Sequence, residues 1–146
     1  MTKGFQFRVM SQAGDMLEMR VSAWNGVFGG ATVLYVPREQ LQETAARLEG
    51  FPSAPGDARE VILGGFGTEV AGGAVSMLLY CAERSGDPHV EAKIEAGEIT
   101  AGTLQSATLS LPVDAAAVAS FVADLRRLAA QRAVLARLRA VEPAAA

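Results

Sequence analysis

A chain of 146 residues, half of them apolar and a fifth charged, lies in the size range of one domain and lacks the low hydrophobicity that keeps a chain disordered. Its single cysteine (Cys81) and single histidine (His89) exclude an internal disulfide and any all-Cys/His zinc set, so a cytoplasmic protein with no cofactor is expected. The net charge of −3 argues against a nucleic-acid partner, and the longest nearly apolar run, Ala74 to Ala82, is far below the about 20 residues of a membrane helix, so no membrane partner is expected either.

The N-terminus alternates apolar and polar residues and lacks the uninterrupted apolar core of a signal peptide. Phe5, Phe7 and Val9, then Leu17, Met19, Val21 and Ala23, follow the period of two of half-buried strands. Ala13-Gly14-Asp15 separates the first two strands. Asn25-Gly26 predicts a two-residue type I′ hairpin, because both central positions of that turn need positive φ. Residues 5 to 36 therefore read as a three-stranded meander.

Pro37 suits the first turn of a helix, where a missing N–H costs no helical hydrogen bond, and Leu41, Ala45 and Leu48 recur at helical spacing up to Gly50. Two prolines make residues 51–57 a loop. Val61–Leu63 is a short strand that stops at Gly64-Gly65-Phe66-Gly67, and Val75–Cys81 is apolar on both faces like a central strand. Ser85-Gly86-Asp87-Pro88 turns the chain into a strand with Val90, Ala92, Ile94 and Ala96 on one face and His89, Glu91, Lys93 and Glu95 on the other. Thr103–Leu111 completes the sheet.

Asp114 is a good N-cap for an amphipathic helix carrying Val118, Phe121, Val122, Leu125, Leu128, Leu135 and Leu138. If it runs from Ala115 to Ala140 it extends about 39 Å at about 1.5 Å per residue, and overhangs strands of about 20 Å. Residues 141–146 read as a disordered tail on a single domain over 1–140. The order βββα, ββββ, α predicts an α+β fold, a mostly antiparallel sheet of about seven strands with two helices on one face, the sheet falling into two antiparallel sections divided by the first helix and pinned by the Asn25-Gly26 and Gly86-Asp87-Pro88 turns. No strict internal repeat is evident.

Chemistry is harder to find. The glycines at 64, 65, 67, 72 and 73 match neither a P-loop nor a dinucleotide fingerprint, and they read as a hairpin loop or as a loop closing over a ligand. If Arg84 pairs with His89, Cys81 pairs with Ala92, about 10 Å from the histidine at roughly 3.3 Å per residue, too far to share a proton. His89 is an exposed turn residue or, with Glu91 on its face, a general base. Glu91 and Glu95 flanking Lys93 read as a solvated charge ladder. No serine-nucleophile elbow or helical zinc motif occurs, so no catalytic, metal or cofactor-binding residue is assigned.

Eleven arginines against two lysines reflect a GC-rich bacterial genome, and Arg126, Arg127, Arg132, Arg137 and Arg139 read as the wet face of the last helix, the final two complementing its dipole. Trp24, with Phe28 beyond it, reads as a cross-strand aromatic or as an interface anchor. Leu128, Leu135 and Leu138, on the overhanging helix, are candidates for an interaction seam.

The aromatic-Gly-Gly of Phe28-Gly29-Gly30, the Leu41, Leu48 and Phe51-Pro52 set around the first helix, and Leu109-x-Leu111 ahead of Phe121 and Leu125 carry a resemblance. From about Trp24 to Leu128 the chain resembles a loose group of small uncharacterised bacterial α+β proteins, some associated with contact-dependent toxin immunity. The resemblance implies a protein that binds another protein and does no chemistry. Three readings follow: a non-catalytic protein-binding module; a structural homo-oligomer sealed through the C-terminal helix; or a small-ligand binder or enzyme with a cavity between sheet and first helix, gated by Gly64–Gly73.

Overall fold

The computed structural model describes residues 2–67, 72–98 and 103–141. Of the tail expected over 141–146, residues 142–146 lie outside the described residues, as does the middle of the glycine loop, 68–71, whereas the Val141 N–H donates to the Pro112 carbonyl at 2.9 Å. The elements run β1 (Gly4–Ala13), β2 (Met16–Trp24), β3 (Gly29–Pro37), α1 (Arg38–Leu48), β4 (Ala58–Gly64), β5 (Ala74–Cys81), β6 (Pro88–Glu98), β7 (Thr103–Pro112), α2 (Ala115–Ala129) and β8 (Leu135–Arg139). The fold is α+β, as expected. The strand count is close to the seven expected, and the two antiparallel sections are separate sheets: the described residues form eight strands in two antiparallel sheets of four, sheet A, ordered β3-β2-β1-β8, and sheet B, ordered β4-β5-β6-β7.

That order shows a repeat hidden in the sequence. Each half of the chain is a βββαβ unit, β1–β4 and β5–β8, in which three strands form a meander, the helix follows, and the fourth strand pairs with the first strand of the other half. The halves thus exchange their last strands and share one contiguous core. In sheet A the inward set is Phe5, Phe7, Leu17, Met19, Val21, Leu34, Val36, Ala136 and Leu138, all at or below 4% exposure. These residues meet Val118, Phe121, Leu125 and Leu128 of α2, and α1 packs along α2. Phe7 and Phe121 meet edge to face with ring centroids 5.2 Å apart.

The largest departure from expectation is at the C-terminus. The helix stops at Ala129 instead of continuing to Ala140, because Gln131 takes a left-handed conformation (φ 60°). The N–H of Arg132 then donates to the Arg127 carbonyl (2.8 Å) and the N–H of Gln131 to that of Leu128 (3.1 Å), the paired closure of a Schellman cap. That position is usually glycine, so a glutamine there gives no stop signal in the sequence. Beyond it Leu135–Arg139 pairs with β1, Gly4 opposite Arg139 and Phe7 opposite Ala136. There is no overhang: Leu128 and Leu138 are 2% and 0% exposed within the chain's own core, and Arg137 and Arg139 lie on a strand, not on a helix end.

Three smaller corrections have local causes. The β2–β3 hairpin sits at Asn25-Gly26, but its loop has four residues, since Trp24 pairs with Gly29. The Asn25 Oδ1 accepts from the N–H groups of Val27 (2.9 Å) and Phe28 (2.7 Å), and the Asn25 backbone N–H donates to the Phe28 carbonyl, while Gly26 takes φ 98°. Pro37 ends β3 with extended backbone and precedes α1. Glu95 is not part of a solvated ladder: it is 8% exposed and its carboxylate accepts the Gly67 N–H at 2.6 Å, which ties the entry of the glycine loop to β6. The exit is tied by the Gly73 N–H, which donates to the Val33 carbonyl of β3 at 2.7 Å and so links the two sheets.

The α1–β4 loop is held by one arginine. Arg59 donates to the carbonyls of Arg47 (3.0 Å) and Glu49 (2.6 Å) at the open end of α1 and pairs with Asp57 at 2.8 Å. The Arg59 guanidinium beside Asp57, with the Ser53 backbone N–H, lowers that carboxyl from an ordinary 3.8 to about 2. A carboxyl depressed in the folded state stabilises the fold fully above its unfolded value, and the contribution is lost as pH falls through the folded one. Asp57→Asn is therefore expected to flatten the acid limb of the stability profile between about pH 4 and pH 2, measured as urea midpoints against pH. A variant profile parallel to wild type there would remove Asp57 from the acid response.

Candidate functional site

Period-two alternation that buries one face of sheet A leaves the other in solvent. The outward set is Gln6 and Arg8 of β1, Glu18, Arg20, Ser22 and Trp24 of β2, Ala31, Val33 and Tyr35 of β3, and Leu135, Arg137 and Arg139 of β8. Register arranges these in rows across the sheet. Gly29, Trp24, Gly4 and Arg139 form one, Ala31, Ser22, Gln6 and Arg137 the next, and Val33, Arg20, Arg8 and Leu135 the third.

Arg8, Arg20, Arg137 and Arg139 are all exposed, and among the described residues none of these four guanidinium groups has an ion pair or a hydrogen bond. Of the other seven arginines, Arg38 pairs with Asp15, Arg59 with Asp57, Arg126 with Glu49 and Arg127 with Asp124, Arg47 donates to the Glu60 carbonyl, and Arg84 and Arg132 share the lack of a side-chain partner among the described residues but lie apart from this face. The carboxylate on this face, Glu18, accepts from the hydroxyls of Ser11 (3.3 Å) and Tyr35 (3.1 Å). That carboxylate in turn pushes the Tyr35 phenol above its usual value, by accepting its proton in a hydrogen bond and by charge repulsion of the phenolate.

The end of the face nearest the β2–β3 loop is concave. A hollow of about 590 Å³ is bounded by residues that include Arg20, Ser22, Trp24, Gly30, Arg137 and Arg139. Trp24 is half-buried, and its indole lies against Gly29, where a Cβ would come within 2.7 Å of Cε3. Val27 and Phe28, at 71% and 63% exposure, project from the loop that Asn25 holds rigid, and the Asn25 amide also donates to the Ser110 carbonyl of β7 at 3.2 Å.

Of the residues singled out from sequence, Trp24 and Phe28 lie together at this corner. Leu135 is half-buried on the outward side of β8, opposite Arg8, whereas Leu128 and Leu138 are core. Sequence reasoning missed Arg8, Arg20 and Val27, although the alternation of β1 and β2 already put both arginines opposite the apolar face. Arg137 and Arg139 could not be found, because their strand was read as helix.

Cys81 and His89 come closer than expected, since Tyr80, not Arg84, pairs with His89, and Cys81 pairs with Pro88. The cysteine and histidine nevertheless point to opposite faces of sheet B. The imidazole stacks on Tyr80 at 5.9 Å, while Cys81 packs against the core. Leu41, Ala45 and Leu48 of α1, which would line a cavity beneath the first helix, are each 0% exposed in that core. Among the described residues no three potential ligands converge on a metal position, and no helix is long and apolar enough to cross a membrane. Comparison of the chain with protein families, curated proteins and solved structures finds no significant match.

Proposed function

We propose that the chain is a non-catalytic protein-binding module that docks its partner on the outer face of sheet A and the adjoining β2–β3 loop. The observation that supports this reading is the pair Val27 and Phe28, held out on a loop whose backbone Asn25 locks, beside the half-buried Trp24. Two large apolar side chains on a rigid tip lose little conformational entropy on binding, and aromatic anchors of this kind dominate interface energetics. The facing of Cys81 and His89 away from each other favours binding over chemistry. An immunity-like role is one form such a module could take.

Cross-linking in the source cells, with recovery of the tagged chain and of Phe28→Asp, tests the proposal. A partner recovered with wild type and lost with a variant of unchanged circular dichroism is the expected result. Recovery of both chains only as free species, or of the same partner with both, would overturn it.

A further inference from the structure

We infer that the partner presents an acidic segment, whose carboxylates lie between Arg8, Arg20, Arg137 and Arg139 on the outer face of sheet A. The inference rests on the docking reading above and adds the chemistry of the occupant. Arg8 and Arg20 are directly opposed across β1 and β2, an arrangement in which like charges weaken strand pairing. Arg137 and Arg139 stand on β8, on the other side of β1, opposite Gln6 and Gly4. Four arginines thus stand on one open sheet face of a chain whose net charge is −3, and the carboxylates beside them are already engaged: Glu18 accepts from two hydroxyls, Asp124 pairs with Arg127 and accepts the Arg137 backbone N–H at 3.1 Å, and Asp114 accepts the Ala117 N–H. An anion laid across the rows relieves the Arg8–Arg20 repulsion, and a carboxylate matches the planar fork of arginine with two parallel hydrogen bonds. Trp24, at the end of the same face, adds an apolar surface for the side chain next to the acidic run.

A nucleic acid is the less fitting polyanion. Single-strand binders offer a run of exposed rings along a basic groove for base stacking, whereas here Phe28 projects at the loop tip, Trp24 is half-buried against Gly29 and the exposed Tyr35 has its hydroxyl tied to Glu18.

Trp24 is the chain's single tryptophan, so its fluorescence reports occupancy directly. The full chain is titrated with a synthetic Asp/Glu-rich decapeptide, an uncharged peptide of equal length and an oligothymidylate of equal charge. The acidic peptide is expected to bind, more weakly as salt rises, and to lose about tenfold or more in affinity with Arg8→Gln/Arg20→Gln but not with the control Arg84→Gln/Arg132→Gln. Without ligand, Arg8→Gln/Arg20→Gln is expected to melt at a higher temperature than wild type, a readout that a merely structural role for these arginines would move the other way. Oligothymidylate binding tighter than the peptide, no binding of the acidic peptide, or binding indifferent to Arg8 and Arg20 would each overturn the inference. A cellular partner lost with Phe28→Asp but kept by Arg8→Gln/Arg20→Gln would sink the acidic segment and leave docking standing. A partner kept by both would sink docking itself.

Discussion

Truncation after Ala133, which deletes β8, is expected to abolish cooperative folding. The strand contributes Ala136 and Leu138, both 0% exposed, and it is the outer partner of β1, whose Phe5 and Phe7 lie in the core. Its loss exposes those rings and leaves the backbone of β1 open along five residue pairs, a free edge that other chains can add to. The single change Leu138→Ala alone should cost about 2–5 kcal/mol, against a total stability of roughly 5–15 kcal/mol for a domain of this size. Urea unfolding followed by far-ultraviolet circular dichroism decides the matter. A truncated chain with an unchanged cooperative midpoint would show that β8 is dispensable, as a frayed helix end would have been.

Phe7→Ala and Phe121→Ala should each lower stability by about 3–5 kcal/mol, because both rings are completely buried and neither neighbourhood can collapse without moving a sheet or a helix. Their edge-to-face contact at 5.2 Å adds a coupling of about 0.5–1.5 kcal/mol, so the double variant should lose less than the two single variants together. The pair joins the first strand of one half to the helix of the other, and its coupling energy measures how firmly the halves interlock. Additive losses in a double-mutant cycle would mean that the rings are merely buried near each other.

Much of the fold was legible because its cues are local. The alternation of Phe5 and Phe7 and of Leu17, Met19 and Val21, the turns at Gly14 and Gly86, the Gly50 stop of α1 and the Asp114 cap each act within a few residues. The Asp114 carboxylate accepts the Ala117 N–H at 2.7 Å, as its position implied. Of the candidate site, Trp24 and Phe28 were visible as aromatics flanking a turn. Arg8 and Arg20 were visible only as strand residues opposite the apolar face, since nothing in either strand says that the two oppose each other across the sheet.

What stayed hidden depends on distant partners. Leu135–Arg139 fits a helix and a strand equally well: Leu135 and Leu138 lie three apart, while Ala136 and Leu138 alternate with Arg137 and Arg139. The free edge of β1, more than a hundred residues earlier in the chain, decides between them. The burial of Glu95 likewise depends on a loop N–H from Gly67 that no pattern in β6 announces. The amino-acid sequence by itself determined the α+β class, most of the elements and the apolar face of the strands other than β8, because those follow from short-range periodicity and turn chemistry. Only the tertiary structure decided the exchange of fourth strands between the two sections and the gathering of Arg8, Arg20, Arg137 and Arg139 on one face, because pairing between remote strands is settled by which edges remain open when the core closes.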